Sequence, residues 1–291
     1  MRAALVSLLL LAAPAAAEVR YGTFPSAALG REVRYAVDLP SSYASGQERY
    51  PVVYALHGLF ESEAFWERRG LAGALGRLRE ARAVPDFLVV AVDGGNSFFV
   101  NGPAGRYEDL VTSDVVSHVE ATYRVVPGRD GRALFGVSMG GYAALRIALK
   151  QPHRFRAAAT HSAMLLERSP AGEQGARRGQ MAAFHQAFGD PIDAGLWAAA
   201  DPLALADRAD PKASPALYFD CGADDRYGLA AGNRELDRRL TARGIAHTFA
   251  LLPGDHGYDY VRSVVDRSLR FTGDALRGGA HPSPMATKET R

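Results

Sequence analysis

Cysteine is nearly absent: the 291-residue chain holds one, Cys221, so no disulfide can form within it, and one sulfur assembles neither a thiolate zinc site nor an iron–sulfur cluster. Charge of either sign is not in excess. Lys+Arg number 34 against 32 Asp+Glu, a formal net charge of +2 spread along the chain without a basic block, which argues against nucleic acid as a partner. Beyond the first residues no apolar run is long enough to cross a bilayer, so no integral membrane span is expected. With 47% hydrophobic and 23% charged residues, disorder, collagen and a disulfide scaffold are excluded, and the fold must be stabilised by packing around one large core or two smaller ones.

Arg2 is followed by an apolar run over 3–13, then Pro14 and Ala15-Ala16-Ala17 ahead of Glu18. This reads as charged region, hydrophobic region and small-residue cleavage site, and predicts a signal peptide over 1–17. The competing reading, a buried N-terminal helix, fits less well, since the run is short and lacks a polar face. No cysteine follows the apolar run and no twin-arginine pair is present, so the mature protein is expected to be exported in soluble form, periplasmic or extracellular.

The catalytic domain is expected over 18–277, followed by a Gly/Pro/Ser/Thr-rich tail over 278–291 that is expected to be disordered. Within it, short apolar runs at 33–39, 51–56, 87–92, 132–137, 155–160, 216–220 and 248–252 read as strands, several of them buried on both faces. Stretches at 68–82, 109–123, 139–150, 232–243 and 258–275 carry apolar residues at helical spacing. The alternation predicts an α/β fold with a mostly parallel central sheet and crossover helices. The segment 164–215 breaks the rhythm with helical pieces and no confident strand, and reads as a cap-like insertion over one sheet edge, after the strand that follows the helix over 139–150.

That strand and helix at 132–150 meet in Gly136-Val137-Ser138-Met139-Gly140, a nucleophile elbow in its required strand-to-helix context. Glycines stand two residues either side of the serine because the chain passes too close there for side chains, and the turn exposes the Ser138 hydroxyl at a helix N-terminus. A serine needs a histidine to take its proton and a carboxylate to fix the histidine tautomer, and on this architecture the chain order is Ser, acid, His. His256, in the turn after the last strand, is the candidate base; His161, at the end of an earlier strand, is the weaker alternative. For the acid, Asp224 and Asp225 lie on the loop at a strand's C-terminal end, where sites of parallel sheets collect, and Asp225 is preferred. Asp255 adjoins the base and Asp220 lies inside the strand, so both are set aside. The oxyanion donors are assigned to the Met139 amide and the Leu59 amide, with Phe60 as the alternative to Leu59. His57, before the nucleophile, reads as a residue holding the oxyanion loop. Phe60 and Trp66, with Phe65, Phe98 and Phe99, stand near these loops as candidate substrate contacts or as core.

These residues carry a resemblance. Leu56-His57-Gly58 with Trp66, Gly-Val-Ser-Met-Gly-Gly-Tyr-Ala-Ala-Leu around Ser138, Pro152 with Phe155, Ala187-Phe188-Gly189-Asp190-Pro191, Asp220-Cys221-Gly222 running to Asp225, and Leu252-Pro253-Gly254 before His256 resemble the esterase D family. This branch of the α/β-hydrolases holds S-formylglutathione hydrolases, feruloyl esterases, other carboxylesterases and antigen 85 mycolyltransferases. The resemblance, over about 33–275, implies the α/β-hydrolase fold and supports Asp225 as the acid. One departure stands out: many members have Gly-Gly-His-Asp or Gly-Gly-His-x-Trp, where this chain has Gly-Asp-His-Gly-Tyr.

Together these readings predict an exported serine carboxylesterase with catalytic Ser138, Asp225 and His256, no metal or organic cofactor, and as substrate a small-molecule, polysaccharide-linked or lipid-linked ester. An acyltransferase of mycolyltransferase type is the alternative that keeps the machinery, and a catalytically idle wall-binding protein the one that does not. S-formylglutathione is disfavoured because it is cytosolic.

Overall fold

The computed structural model describes residues 18–170 and 178–278. The expected signal segment and, from 279 onward, the expected tail lie outside the described residues. The chain enters through an antiparallel hairpin, β1 (Glu18–Ser26) and β2 (Arg31–Leu39), followed by β3 (Val52–Leu56) and β4 (Leu88–Val92). A two-residue ribbon of β5 (Asn101–Gly102) and β6 (Gly105–Arg106) precedes β7 (Arg132–Val137), β8 (Ala157–His161), β9 (Ala216–Gly222) and β10 (His247–Leu252). Apart from the ribbon, these strands form one sheet in the order β1-β2-β4-β3-β7-β8-β9-β10. The β1-β2 and β2-β4 pairs are antiparallel, and every pairing from β4 across to β10 is parallel.

The helices are α1 (Phe65–Arg68), α2 (Leu71–Glu80), α3 (Tyr107–Asp109), α4 (Val115–Thr122), α5 (Met139–Lys150), α6 (Arg178–Phe188), α7 (Ala194–Ala200), α8 (Pro202–Ala206), α9 (Leu229–Ala242) and α10 (Tyr258–Leu276). The inner parallel strands β3, β4, β7, β8 and β9 are buried on both faces, so successive side chains feed two cores. In β3, Val53 and Ala55 join the core under α2 and α10, while Val52, Tyr54 and Leu56 join the one under α4, α5 and α9. This is the expected α/β-hydrolase architecture, with helices on both faces.

Two predicted helices are subdivided. Gly70, at φ 80°, separates α1 from α2 where the pattern over 68–82 reads as one helix. The stretch 109–123 begins in α3 and passes through a π-helical turn, Leu110–Asp114, before α4. Strand β1 has no counterpart in the predicted strands, because as an edge strand it buries little more than Phe24 and Ser26 and so lacks an apolar run. Between β8 and β9 the described chain forms α6, α7 and α8 and no strand. Phe184 and Phe188 of α6 and Trp197 of α7 pack with Phe98 and with Tyr142 of α5, which seats this helical excursion on α5.

The chain leaves β3 toward β4 on one side, while β7 flanks β3 on the other. Such a reversal of strand order opens a crevice at the C-terminal ends of the strands. Leu56 pairs with Gly136 across it, so the loop that begins at His57 faces the end of β7 and the turn at Ser138.

Candidate active site

Ser138 occupies the turn between β7 and α5 at φ 55°, ψ −112°, a conformation that costs a non-glycine residue about 1–3 kcal/mol. Its surroundings hold it there. The Ser138 amide donates to His161 O at 3.0 Å, and its carbonyl accepts from Tyr142 N at 2.9 Å and Met164 N at 3.0 Å. The need for the two glycines is steric: a side chain at Gly136 would begin 2.1 Å from Gly140 O, and one at Gly140 would begin 2.0 Å from Leu56 O.

His256 lies on the loop between β10 and α10. Its Nε2 is 3.1 Å from Ser138 Oγ, and its Nδ1 is 2.8 Å from Asp225 Oδ2. Asp225 is buried, and its other oxygen accepts from the Tyr227 amide at 2.9 Å and the Leu229 amide at 3.5 Å. Burial pushes the Asp225 carboxyl upward, but the hydrogen bond and charge of His256, with the two amides, outweigh it and hold the group below its ordinary value. An ionised Asp225 only accepts, so Nδ1 carries the imidazole proton and the Nε2 lone pair faces the serine hydroxyl.

The alternatives considered from sequence are placed elsewhere. Asp224 is exposed, with its amide spent on Gly254 O at 3.0 Å. Asp220 is buried in β9, where it accepts from the Tyr218 and Tyr260 hydroxyls, each at 2.8 Å, and meets His161 Nδ1 at 2.9 Å. His161 Nε2 in turn meets Ser268 Oγ at 2.8 Å, so this imidazole belongs to a core network and only its backbone carbonyl touches Ser138. Cys221 is buried with its thiol 3.5 Å from Asp225 Oδ2, and burial pushes the thiol up, away from thiolate chemistry.

Of the candidate oxyanion donors, the Phe60 amide is committed to Asn96 Oδ1 at 2.8 Å. Among the described residues the Leu59 and Met139 amides have no hydrogen-bond partner, and both residues adjoin the turn that carries Ser138. His57 braces this loop. It is fully buried, with Nδ1 2.7 Å from Gly58 O and Nε2 3.0 Å from the Gly94 amide; Nδ1–H therefore donates to Gly58 and Nε2 accepts from Gly94. Burial lowers the basicity of this imidazole, which matches the single neutral tautomer its partners require.

Ser138 and His256 open into a cleft of about 170 Å³, walled by Leu59, Phe60, Glu61, Met164, Gln180, Tyr227 and Tyr258. Phe60 is 65% exposed at its mouth. Trp66, expected as a substrate contact, is corrected by the structure: it is 1% exposed, donates to Asp38 at 2.9 Å and packs edge-on against Phe135. Phe65, Phe98 and Phe99 are core residues too. Sequence reasoning missed Tyr227, whose ring stands edge-on to His256 at 4.8 Å, and Tyr258. Each lies two residues beyond a candidate triad member, and that adjacency is a signal that could have found them. Met164 and Gln180 come from the helical excursion and carry no such mark.

Comparison with known proteins gives the family and the fold. A family model described as "Putative esterase" matches residues 26–271. An esterase of Mycobacterium tuberculosis is 28% identical over 266 residues, covering 81% of this chain; the chain spans 55% of that relative's length. Among solved structures, a ferulic acid esterase superposes with a TM-score of 0.75 at 25% identity, over 90% of this chain and 99% of that one. An S-formylglutathione hydrolase from Agrobacterium tumefaciens gives a TM-score of 0.71 at 22% identity, over 89% and 95% of the two chains.

Proposed function

Because the chain belongs to the esterase family that this model defines, we propose that it is an exported serine carboxylesterase working through Ser138, His256 and Asp225. The observation that carries the reading is the continuous hydrogen-bonded line from Asp225 Oδ2 through His256, at 2.8 and 3.1 Å, to a serine held in a strained turn. As Ser138 Oγ attacks the ester carbonyl carbon, its proton passes to His256 Nε2, and Asp225 stabilises the imidazolium that forms. The Leu59 and Met139 amides receive the oxyanion of the tetrahedral intermediate. Collapse breaks the bond to the alcohol oxygen, which takes the proton from Nε2 and departs, leaving an acyl-serine. Water then gives a proton to Nε2 as its oxygen attacks the acyl carbon, and the second collapse returns that proton to Ser138 and releases the carboxylic acid.

Export rests on the N-terminal segment over 1–17, and mass spectrometry of the secreted product tests it: a chain starting at Glu18 supports the reading and an intact Met1 refutes it. The activity is tested by hydrolysis of p-nitrophenyl esters from acetate to long chains, with methyl ferulate alongside, by wild type and Ser138→Ala. Turnover by wild type and none by the variant is the expected result. Inactivity of both across the series would set the esterase reading aside.

A further inference from the structure

The loop that carries the acid and the loop that carries the base are tied together by a carboxylate with neither role. Asp255 Oδ1 accepts from the Arg226 amide at 2.8 Å and from the His256 amide at 2.6 Å, and its carboxylate also pairs with the Arg226 guanidinium. Arg226 follows Asp225 and Asp255 precedes His256, so one oxygen gathers the amide next to the acid and the amide of the base. The residues on either side explain why such a tie is needed. Gly254, at φ 136°, and Gly257, at φ 134°, flank the pair Asp255-His256, leaving a two-residue span between two glycines whose backbone is not restricted by a side chain and outside any helix or strand. The main-chain ties between the loops, Ala223 N to Leu252 O at 2.8 Å and Asp224 N to Gly254 O at 3.0 Å, stop one residue short of it. A side chain at Gly222 would begin 2.4 Å from Gly254 O, so the loops touch below this point and are held by Asp255 above it.

We propose, building on the triad assigned above, that Asp255 is a positioning residue: its Oδ1 locks the His256 backbone to the acid loop, so that Nδ1 meets Asp225 and Nε2 meets Ser138 in one geometry. Asp255 touches no reacting atom and acts through His256. The Arg226 hydrogen bond, reinforced by the amides, holds the Asp255 carboxyl well below the usual carboxylate range, so the acceptor stays available throughout the working pH. The pair is solvent-exposed, with 40% of the Asp255 and 55% of the Arg226 side chain accessible, so its importance lies in geometry more than in Coulomb attraction. A displacement of the base by about 1 Å costs on the order of a hundredfold in rate.

The experiment compares Asp255→Ala and Asp255→Asn with wild type, Ser138→Ala and His256→Ala on the p-nitrophenyl ester that wild type hydrolyses best. Asp255→Ala is expected to lower kcat by about 10- to 100-fold with KM changed no more than about twofold. Asp255→Asn, which keeps an oxygen facing the two amides, is expected to stay within about threefold of wild type. In the His256→Ala background Asp255→Ala adds no further loss, because its effect passes through the imidazole; a residue needed only for the fold would lower both backgrounds. Thermal melts show that each variant is folded, and the rate of Ser138 labelling by a fluorophosphonate on the folded protein gives a second readout that falls in parallel with kcat. Wild-type kcat in Asp255→Ala, an Asp255→Asn as impaired as the alanine, or full additivity with His256→Ala would overturn the proposal. No turnover by wild type, or turnover surviving in Ser138→Ala, would remove the triad reading and this inference with it.

Discussion

Acidification from about pH 7.5 to about pH 5.5 is expected to weaken the fold through His57, the buried brace of the loop proposed to receive the oxyanion. Its two ring nitrogens are already allotted: Nδ1–H donates to Gly58 O and Nε2 accepts the Gly94 N–H. A proton on Nε2 would set two N–H groups against each other and place a charge where no surface is exposed. Asp93 lies 3.9 Å from Nε2 and opposes this, but its carboxylate is engaged by Arg34 at 2.8 Å and by the Gly95 amide at 3.1 Å, and burial dominates. The folded-state pKa is therefore lowered, and the unfolded chain binds the proton first. Stability is fully present above the unfolded value of about 6.5 and is lost as pH falls below it, by at most about 1.4 kcal/mol at pH 5.5. For a domain of this size that is about 3 to 6 °C in Tm.

Urea unfolding of wild type and His57→Gln at both pH values isolates the effect from other titrating groups. The glutamine oxygen can accept the Gly94 N–H but takes up no proton, so the variant is less stable at neutral pH and loses less on acidification. The stability gap between the two proteins should narrow from pH 7.5 to 5.5, by up to about 1.4 kcal/mol. A gap of constant size would mean that His57 takes up its proton equally well in the folded protein, and the account of a neutral, two-bonded brace would fail.

Asp225→Asn presents an amide to His256 Nδ1 and can favour the wrong tautomer, so kcat for the best ester should fall by about 10³- to 10⁴-fold; a loss under about tenfold would move the acid elsewhere, to Asp224 first. Asn96→Ala frees the Phe60 amide and with it the loop that carries Leu59. Its kcat should drop about tenfold with KM little changed, and a change confined to KM would show that the loop contacts substrate without shaping the oxyanion site. Gly140→Ala forces a methyl to within 2.0 Å of Leu56 O and should cost about 3 kcal/mol or more, read as a lowered Tm; a variant as stable as wild type would contradict the elbow geometry. Asp220→Ala strips the acceptor shared by Tyr218, Tyr260 and His161 and should cost about 3–5 kcal/mol in denaturant unfolding, and an unchanged midpoint would show that the network is dispensable.

What could be read in the sequence follows the range of the forces involved. The elbow was legible because the clash that demands Gly136 and Gly140 is generated within five residues and leaves its mark in five letters. The inner parallel strands were legible because burial on both faces writes apolar runs, and α5 is legible at its observed limits. The edge strand β1 was not, since a strand with one partner and one wet edge needs no such run. Asp225 and Asp224 are neighbours of one chemistry, and only the fold buries one and exposes the other. The same limit explains Trp66. A tryptophan near the loop that begins at His57 could face substrate or core, and the choice is made by Asp38 of β2, which accepts its indole N–H. Asp255 marks the far end of this scale. Adjacency to the base argued against it as the acid, because neighbouring side chains diverge; that divergence is what lets it reach across to the Arg226 amide while His256 turns toward Ser138. The loops bearing acid and base are made by β9 and β10, which lie side by side in the sheet although α9 separates them in sequence. The tie between them is thus a product of strand order, and a residue that is redundant along the chain comes, once β10 docks beside β9, to join the two loops that bear the proposed acid and base.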